Sequence, residues 1–396
     1  QDQPLPSDHI LDGGDVFSPK DIVTPGVLSC VSVPVNSADQ EDPYQLTTEI
    51  NNRRLGLAKW VSDPRNGLAI RSIVNRIWHY HFGKGIAANP NNFGATGGKP
   101  SHPELLDWLA IKFVDDNWSI KSLHRTIMNS EAYMRSTRHM DAEQLSKLDP
   151  RNELLAVFEP RRLSAEELRD TVLSVSGELN LEIGGLPVRP EISLEVALSP
   201  RMIQFSLAPA YQPERRAANR NRRSIYAYRV RGLPNPMMEV LDQPGPNESC
   251  ELRDSASTAP QAFTMMNGSA ITNRSIAMAS RLMAERESME DQIKLGYELA
   301  TGQKLPDPLL LKLTAHYQEM IAYHRSSLPE NVEFPTSISR SLVEENTGET
   351  FQYEELLDVY KQYEYDAQAA DMSPEIRAMA DICLIFFNSN QMMYVY

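Results

Sequence analysis

The chain predicts a mainly α-helical fold, an irregular helical bundle or array with long loops and at most a short β-hairpin. Three observations carry this. Apolar residues recur at spacings of three and four through most of the 396 residues. Ser-x-x-Glu pairs stand where such stretches begin. Strand-like period-two alternation is read in one short run, Ser224-Ile225-Tyr226-Ala227-Tyr228-Arg229-Val230.

Residues 1–50, rich in Pro, Asp and Ser, read as an irregular arm or linker. In the first helical unit, 51–180, the residues Ile70, Ile73, Val74, Ile77, Trp78 and His81 share one face, which predicts a helix from Gly67 to Phe82. Gly83-Lys84-Gly85 ends it, and Asn89-Pro90-Asn91-Asn92 through Gly97-Gly98 form a turn-rich loop. Ser101 and Glu104 have capping-box spacing around Pro103, so a helix is expected to Asp116 with Leu105, Leu106, Leu109 and Phe113 inside. Ser119 is placed to cap a helix carrying Ile120, Leu123 and Ile127. Ser164 and Glu167 form a second box, with Leu163 and Leu168 at staple spacing and Val172, Val175 and Leu179 continuing the stripe.

A loop-rich connection, 181–257, holds the one predicted strand. The second helical unit, 258–396, should contain helices over 259–266, 271–286, 292–300 and 308–323. Acidic residues with weak apolar periodicity mark 328–371 as an exposed insertion with one helix around Tyr353 to Tyr365. Ser373-Pro374 starts the last helix, where Ile376, Met379, Ala380, Cys383 and Phe387 face inward.

Thirty-nine Lys and Arg against 53 Asp and Glu leave a formal charge of -14, which opposes general nucleic-acid binding because phosphate contacts need a basic face. A mean hydropathy of -0.41 and the lack of any bilayer-length apolar run argue against a membrane-spanning chain. The start, Gln1-Asp2-Gln3-Pro4, has neither an initiator Met nor a leader, so a segment of a longer protein is expected. Three cysteines without a Cys-x-x-Cys pair provide neither a zinc knuckle nor a haem attachment site. Cys383 fits a buried thiol, while Cys30 and Cys250 lie in loops, where a disulfide is an option that spacing does not decide.

Three long motifs bring a resemblance onto the page: Asn75-Arg76-Ile77-Trp78-His79-Tyr80-His81-Phe82-Gly83-Lys84-Gly85, Asn92-Phe93-Gly94, and Ser101-His102-Pro103-Glu104-Leu105-Leu106-Asp107-Trp108-Leu109. With Trp118-Ser119-Ile120, Arg161-Arg162-Leu163-Ser164, Asp242-Gln243-Pro244, Ser257-Thr258-Ala259-Pro260 and Phe387-Asn388-Ser389-Asn390 they follow in order along nearly the whole chain. The chain so resembles a planctomycete and verrucomicrobial domain of unknown function, number fifteen-fifty-three in that series; only 328–371 matches nothing in it. The resemblance implies the C-terminal segment of a larger exported protein. It also implies an extracytoplasmic setting in the periplasm or at the cell surface, and a haem c on an upstream domain or partner rather than in this segment. It supplies no catalytic residues.

Candidate chemistry therefore rests on the residues themselves. His79 and Arg76 could bind a ligand, yet His81 falls on the apolar face, so the two histidines point apart and make a poor metal pair; no metal ligand set is assigned. His102 at a helix N-terminus, with Asn89, Asn91 and Asn92, could line a cleft for a sugar-like ligand, or the same residues could clasp the loop. Arg220, Arg222, Arg223 and Arg229 could dock an anionic glycan, or pair internally with acids such as Asp242, Glu248, Glu251 and Asp254. Glu166, Glu167 and Asp170 could be paired carboxylates, though their place at a helix start explains them as capping residues. No Gly-x-Ser-x-Gly elbow, phosphate loop or His-Glu-x-x-His helix is present, which leaves the question of enzyme or non-enzyme open. The reading adopted is an interaction module that meets upstream domains or other subunits. A carbohydrate-active enzyme and a noncatalytic binder of anionic glycans are the alternatives.

Overall fold

The computed structural model describes residues 8–37, 41–47, 50–203, 206–247, 249–253, 255–344 and 347–396. It is mainly α-helical, and the described strands form only two-stranded sheets. Two compact units divide the chain, Gln1–Glu159 and Pro160–Tyr396. Among the described residues no helix is long and apolar enough to cross a membrane.

The first unit begins with a hairpin in the arm, β1 (Asp8–Leu11) against β2 (Pro19–Val23). Helices α1 (Ile50–Val61), α2 (Gly67–Phe82), α3 (Pro103–Asp115), α4 (Ile120–Met128) and α5 (Ala142–Leu148) follow. The arm is tied to α1 where the Trp60 indole N–H donates to the Val33 carbonyl at 2.9 Å. Helix α2 has the predicted bounds: the Asn66 side chain caps its start by accepting from the Ala69 amide. Gly83, at φ 73°, ends it in a conformation that disfavours a side chain. Its Ile70, Val74, Ile77, Trp78 and Phe82 are buried, and α3 and α4 pack on it. Ser119 caps α4 as expected, by accepting from the Ser122 amide. The Ser101–Glu104 box does not form. The Ser101 amide donates instead to the Ile86 carbonyl, so His102 occupies the N-cap of α3 and Pro103 its first turn.

In the second unit β3 (Arg161–Arg162) pairs with β8 (Tyr394–Val395), and α6 (Ala165–Ser176) starts with the predicted Ser164–Glu167 capping box. Short helices α7 (Leu194–Leu198), α8 (Ala217–Arg220) and α9 (Pro236–Val240) punctuate the loop-rich stretch, with a hairpin of β4 (Arg201–Ile203) and β5 (Ser206–Ala208). Helices α10 (Ala259–Asn267), α11 (Ser269–Glu285), α12 (Met289–Thr301), α13 (Asp307–Ser326), α14 (Pro374–Phe387) and α15 (Asn390–Met393) complete the array. At its centre α14 buries Met379, Ile382, Cys383, Phe386 and Phe387. Gly296 on α12 permits close approach, since a Cβ there would stand 2.8 Å from Leu282 and 3.0 Å from the Phe386 ring. Helix α6, grouped above with the first helical unit, belongs to this core because Leu168, Val172 and Val175 bury with Met278 and Leu282 of α11.

Two predicted elements are replaced. Residues Ser224–Tyr226 are a 3-10 turn rather than a strand, because Asp170 takes the Ser224 amide (2.8 Å) and hydroxyl (2.6 Å) out of any ladder. The acidic segment carries no helix at 353–365. It forms a hairpin of β6 (Ser337–Val343) and β7 (Thr350–Leu356), then a 3-10 turn, Asp358–Gln362. Nor is the segment exposed throughout, for Leu357, Tyr360 and Tyr363 bury in a small cluster with Ala210.

Candidate functional site

The loop after α2 is fixed at its root by Asn75, whose fully buried carboxamide accepts from the Ala87 amide (2.8 Å) and donates to the Ala87 carbonyl (3.0 Å). Gly85 lies against this pair, where a Cβ would meet the Ala87 carbonyl oxygen at 2.5 Å. Further along, Asn89 accepts from the Gly98 amide (2.8 Å), Asn92 accepts from the Gly94 amide (3.1 Å), and Arg76 donates to Asn91 (2.5 Å). The Ser101 hydroxyl meets His102 Nδ1 at 3.0 Å. Four of the nominated cleft residues, Arg76, Asn89, Asn92 and His102, thus hold the loop to itself and to α2. The fifth, His79, sets its ring edge-on to Tyr80 with centroids 5.6 Å apart. His81 turns the other way, its Nε2 meeting His124 Nδ1 at 2.7 Å.

Two of the four arginines nominated for anion binding, Arg220 and Arg222, are buried and bond within the chain. Arg220 is 1% exposed and donates to the carbonyls of Glu214 (3.1 Å), Arg215 (3.0 Å) and Glu364 (2.6 Å) and to Asp366 (3.0 Å). Its guanidinium stacks 4.2 Å from the Tyr363 ring centroid. Arg222, also buried, donates to the carbonyls of Leu186, Glu182 and Gly184 and lies over Tyr226. Arg223 flanks the same ring, and the exposed Arg229 donates to the Pro244 carbonyl. For Arg220 and Arg222 burial is the reason: their forks satisfy loop carbonyls that would otherwise be orphaned away from water. Among the described residues, Arg220 alone of the four is paired with acids, Glu191 and Asp366, and both are remote in sequence. Asp242 serves Gln261 (2.9 Å) and the Ala256 amide (3.1 Å), while Glu248 and Asp254 lie outside the described residues.

Sequence periodicity gave no sign of the charged cluster that results. Asp366 bridges Arg220 and Arg274; Arg274 also pairs with Glu178 (2.9 Å), and Tyr363 donates to Glu191. Three carboxylates thus share two guanidiniums. Burial, with Asp366 nearby, raises Glu191, and burial also raises Glu178 against the pull of Arg274. Because the folded pKa lies above the unfolded one, their contribution is full below about pH 4, near the unfolded value, and is lost as pH rises through the folded values. The urea midpoint should therefore fall as pH rises above about 4, and less steeply in Glu191→Gln. Equal slopes in the two proteins would refute the assignment.

The would-be paired carboxylates are engaged elsewhere. Glu166 accepts from Arg253 and Gln243, and Glu167 from Arg161 and the Ser164 amide. These bonds together outweigh burial and hold both below the usual range. A second buried pair was equally silent in the sequence. Arg340 donates to Glu355 (2.9 Å) and the Leu198 carbonyl (2.7 Å), while Glu355 accepts from the Ala210 amide (2.7 Å). That pair roots the β6–β7 hairpin on the segment carrying β4 and β5.

Cys30 is exposed, Cys250 half-buried and Cys383 buried, all as free thiols, and Cys30 and Cys250 belong to different units. Among the described residues, no three His, Cys, Asp or Glu side chains gather as a metal site. An open depression of about 520 Å³ lined by Ser174, Ser176, Gly177, Leu179, Leu181 and Arg281 contains none of the nominated residues. A family model described as "PSD1: Protein of unknown function (DUF1553)" matches residues 53–316. Neither a curated protein nor a solved structure matches the chain.

Proposed function

From the premise that the chain belongs to this family of proteins of unknown function, we propose that it is a noncatalytic interaction module through which a larger protein assembles with its own upstream domains or with other subunits. One observation supports this above the others. Most of the polar side chains nominated for a pocket bond to other groups of the chain, whereas α3 holds Trp108 and Ile111 at 53% and 63% exposure, on the stripe opposite its buried Leu106, Leu109, Ala110 and Phe113. Exposed Trp is a residue type that anchors protein interfaces. We infer from the family resemblance that it works outside the cytoplasm, beside a haem c-bearing domain or partner.

The test is calorimetric titration of the chain with the upstream stretch of its precursor. Trp108→Ala with Ile111→Ala should weaken association by about thirtyfold, the size of one hot-spot truncation. Turnover of a polysaccharide by the purified chain, abolished by His102→Ala or Arg223→Ala, would overturn the module reading and favour a carbohydrate-active enzyme.

A further inference from the structure

We propose that the open edge of β7 takes an extended segment of a partner protein, alternating apolar and basic residues, as a third strand. This deepens the module reading and rests on it. Strands β6 and β7 form a sheet of their own in seven-residue register, and among the described residues no third strand pairs with either. An isolated two-stranded hairpin is marginally stable, and an unpaired edge is a template for another strand. Here the Arg340–Glu355 pair fixes the hairpin to the body and leaves its outer half projecting.

Backbone phase identifies the groups on offer. The Glu344 amide donates to the Glu349 carbonyl at 2.9 Å, so bonded and non-bonded pairs alternate from that point. The amides of Phe351 and Tyr353 then face β6, and those of Gln352 and Glu354 face the open edge. The side chains alternate as well. Phe351 and Tyr353, 46% and 37% exposed, share one face with ring centroids 6.2 Å apart, and Gln352 and Glu354 occupy the other.

Charge selects the partner. From Ser337 to Leu356 there are five glutamates and one arginine, a net of -4, and that arginine is held inside by Glu355. A second copy would set acid against acid, whereas a strand with Lys or Arg beside Glu354 and apolar residues beside Phe351 and Tyr353 complements this edge. The hairpin lies beyond residue 316, where the family match ends.

The probe is a fluorescently labelled peptide of about eight residues, a common strand length, alternating Val and Lys, titrated into the whole chain by anisotropy. A peptide of the same charge with Pro in place of Val is the control. Gln352→Pro removes one outward donor at a solvent-facing edge position, where proline is tolerated, so the variant should fold. It should weaken binding about tenfold, and Glu354→Lys should weaken it and flatten its salt dependence. Unchanged binding in Gln352→Pro, equal binding of the Pro control, or no binding at all overturns strand addition. Concentration-dependent dimerisation abolished by Gln352→Pro instead assigns the edge to a second copy and also overturns it. Trp108→Ala should leave peptide binding unchanged, so failure here and failure of the α3 interface are separately visible.

Discussion

Arg220→Ala should destabilise the second unit by about 3–5 kcal/mol, the cost of stranding buried charge when one partner is removed. The loss is more than one ion pair. Glu191 keeps its burial without its cation, Asp366 is left with Arg274 alone, and the carbonyls of Glu214, Arg215 and Glu364 lose their donor. The Tyr363 ring also loses the guanidinium that covers it. Arg220→Lys restores the charge but not a fork able to reach several acceptors, so it should fall between wild type and Ala. Urea unfolding at constant pH gives the size. Hydrogen exchange gives the place, with faster exchange expected first in Leu357 to Asp371, which Asp366 pins to α11 through Arg274. A change under about 1 kcal/mol, the scale of an exposed ion pair, would mean that the cluster does not hold this segment.

Where one helix face meets one core, the sequence was readable, and where groups far apart in the chain meet, it was not. The bounds of α2, the Ser119 and Ser164 caps and the inward face of α14 all follow from local spacing. Ser101 and Glu104 had the spacing of a box, but the Ile86 carbonyl, fifteen residues away, competes for the Ser101 amide. The run from Ser224 to Val230 alternated like a strand, yet Asp170 on α6 decides its conformation. A helix expected around Tyr353 to Tyr365 gives way to β7 because Phe351, Tyr353 and Glu355 are partnered across the hairpin by Leu342, Arg340 and Ile338. For the arginine run, composition made internal pairing the stronger reading, but it pointed to acids nearby in sequence. Charge balance says that partners exist and only the fold says which, as with Arg220 and an aspartate 146 residues later.

The same distinction singles out Asn75, a polar residue on an apolar helix face that nothing in the spacing of α2 explains. Its carboxamide holds both backbone groups of Ala87, itself 2% exposed, and so stands in for a piece of secondary structure at the root of the 83–102 loop. Asn75→Ala should cost about 2–6 kcal/mol, since two buried backbone groups are left unpaired at about 1–3 kcal/mol each. Asn75→Asp keeps the acceptor for the Ala87 amide but loses the donor to its carbonyl and buries a carboxylate, so it should fare no better at neutral pH. A released root would free Gly98, Asn89 and the rest of the loop from the positions their mutual bonds define. Proteolysis between 88 and 100 should therefore accelerate in Asn75→Ala while cleavage elsewhere in the first unit stays slow. Uniform acceleration across that unit would instead make Asn75 a general core residue, and an unchanged pattern with wild-type stability would remove it from the clasp altogether.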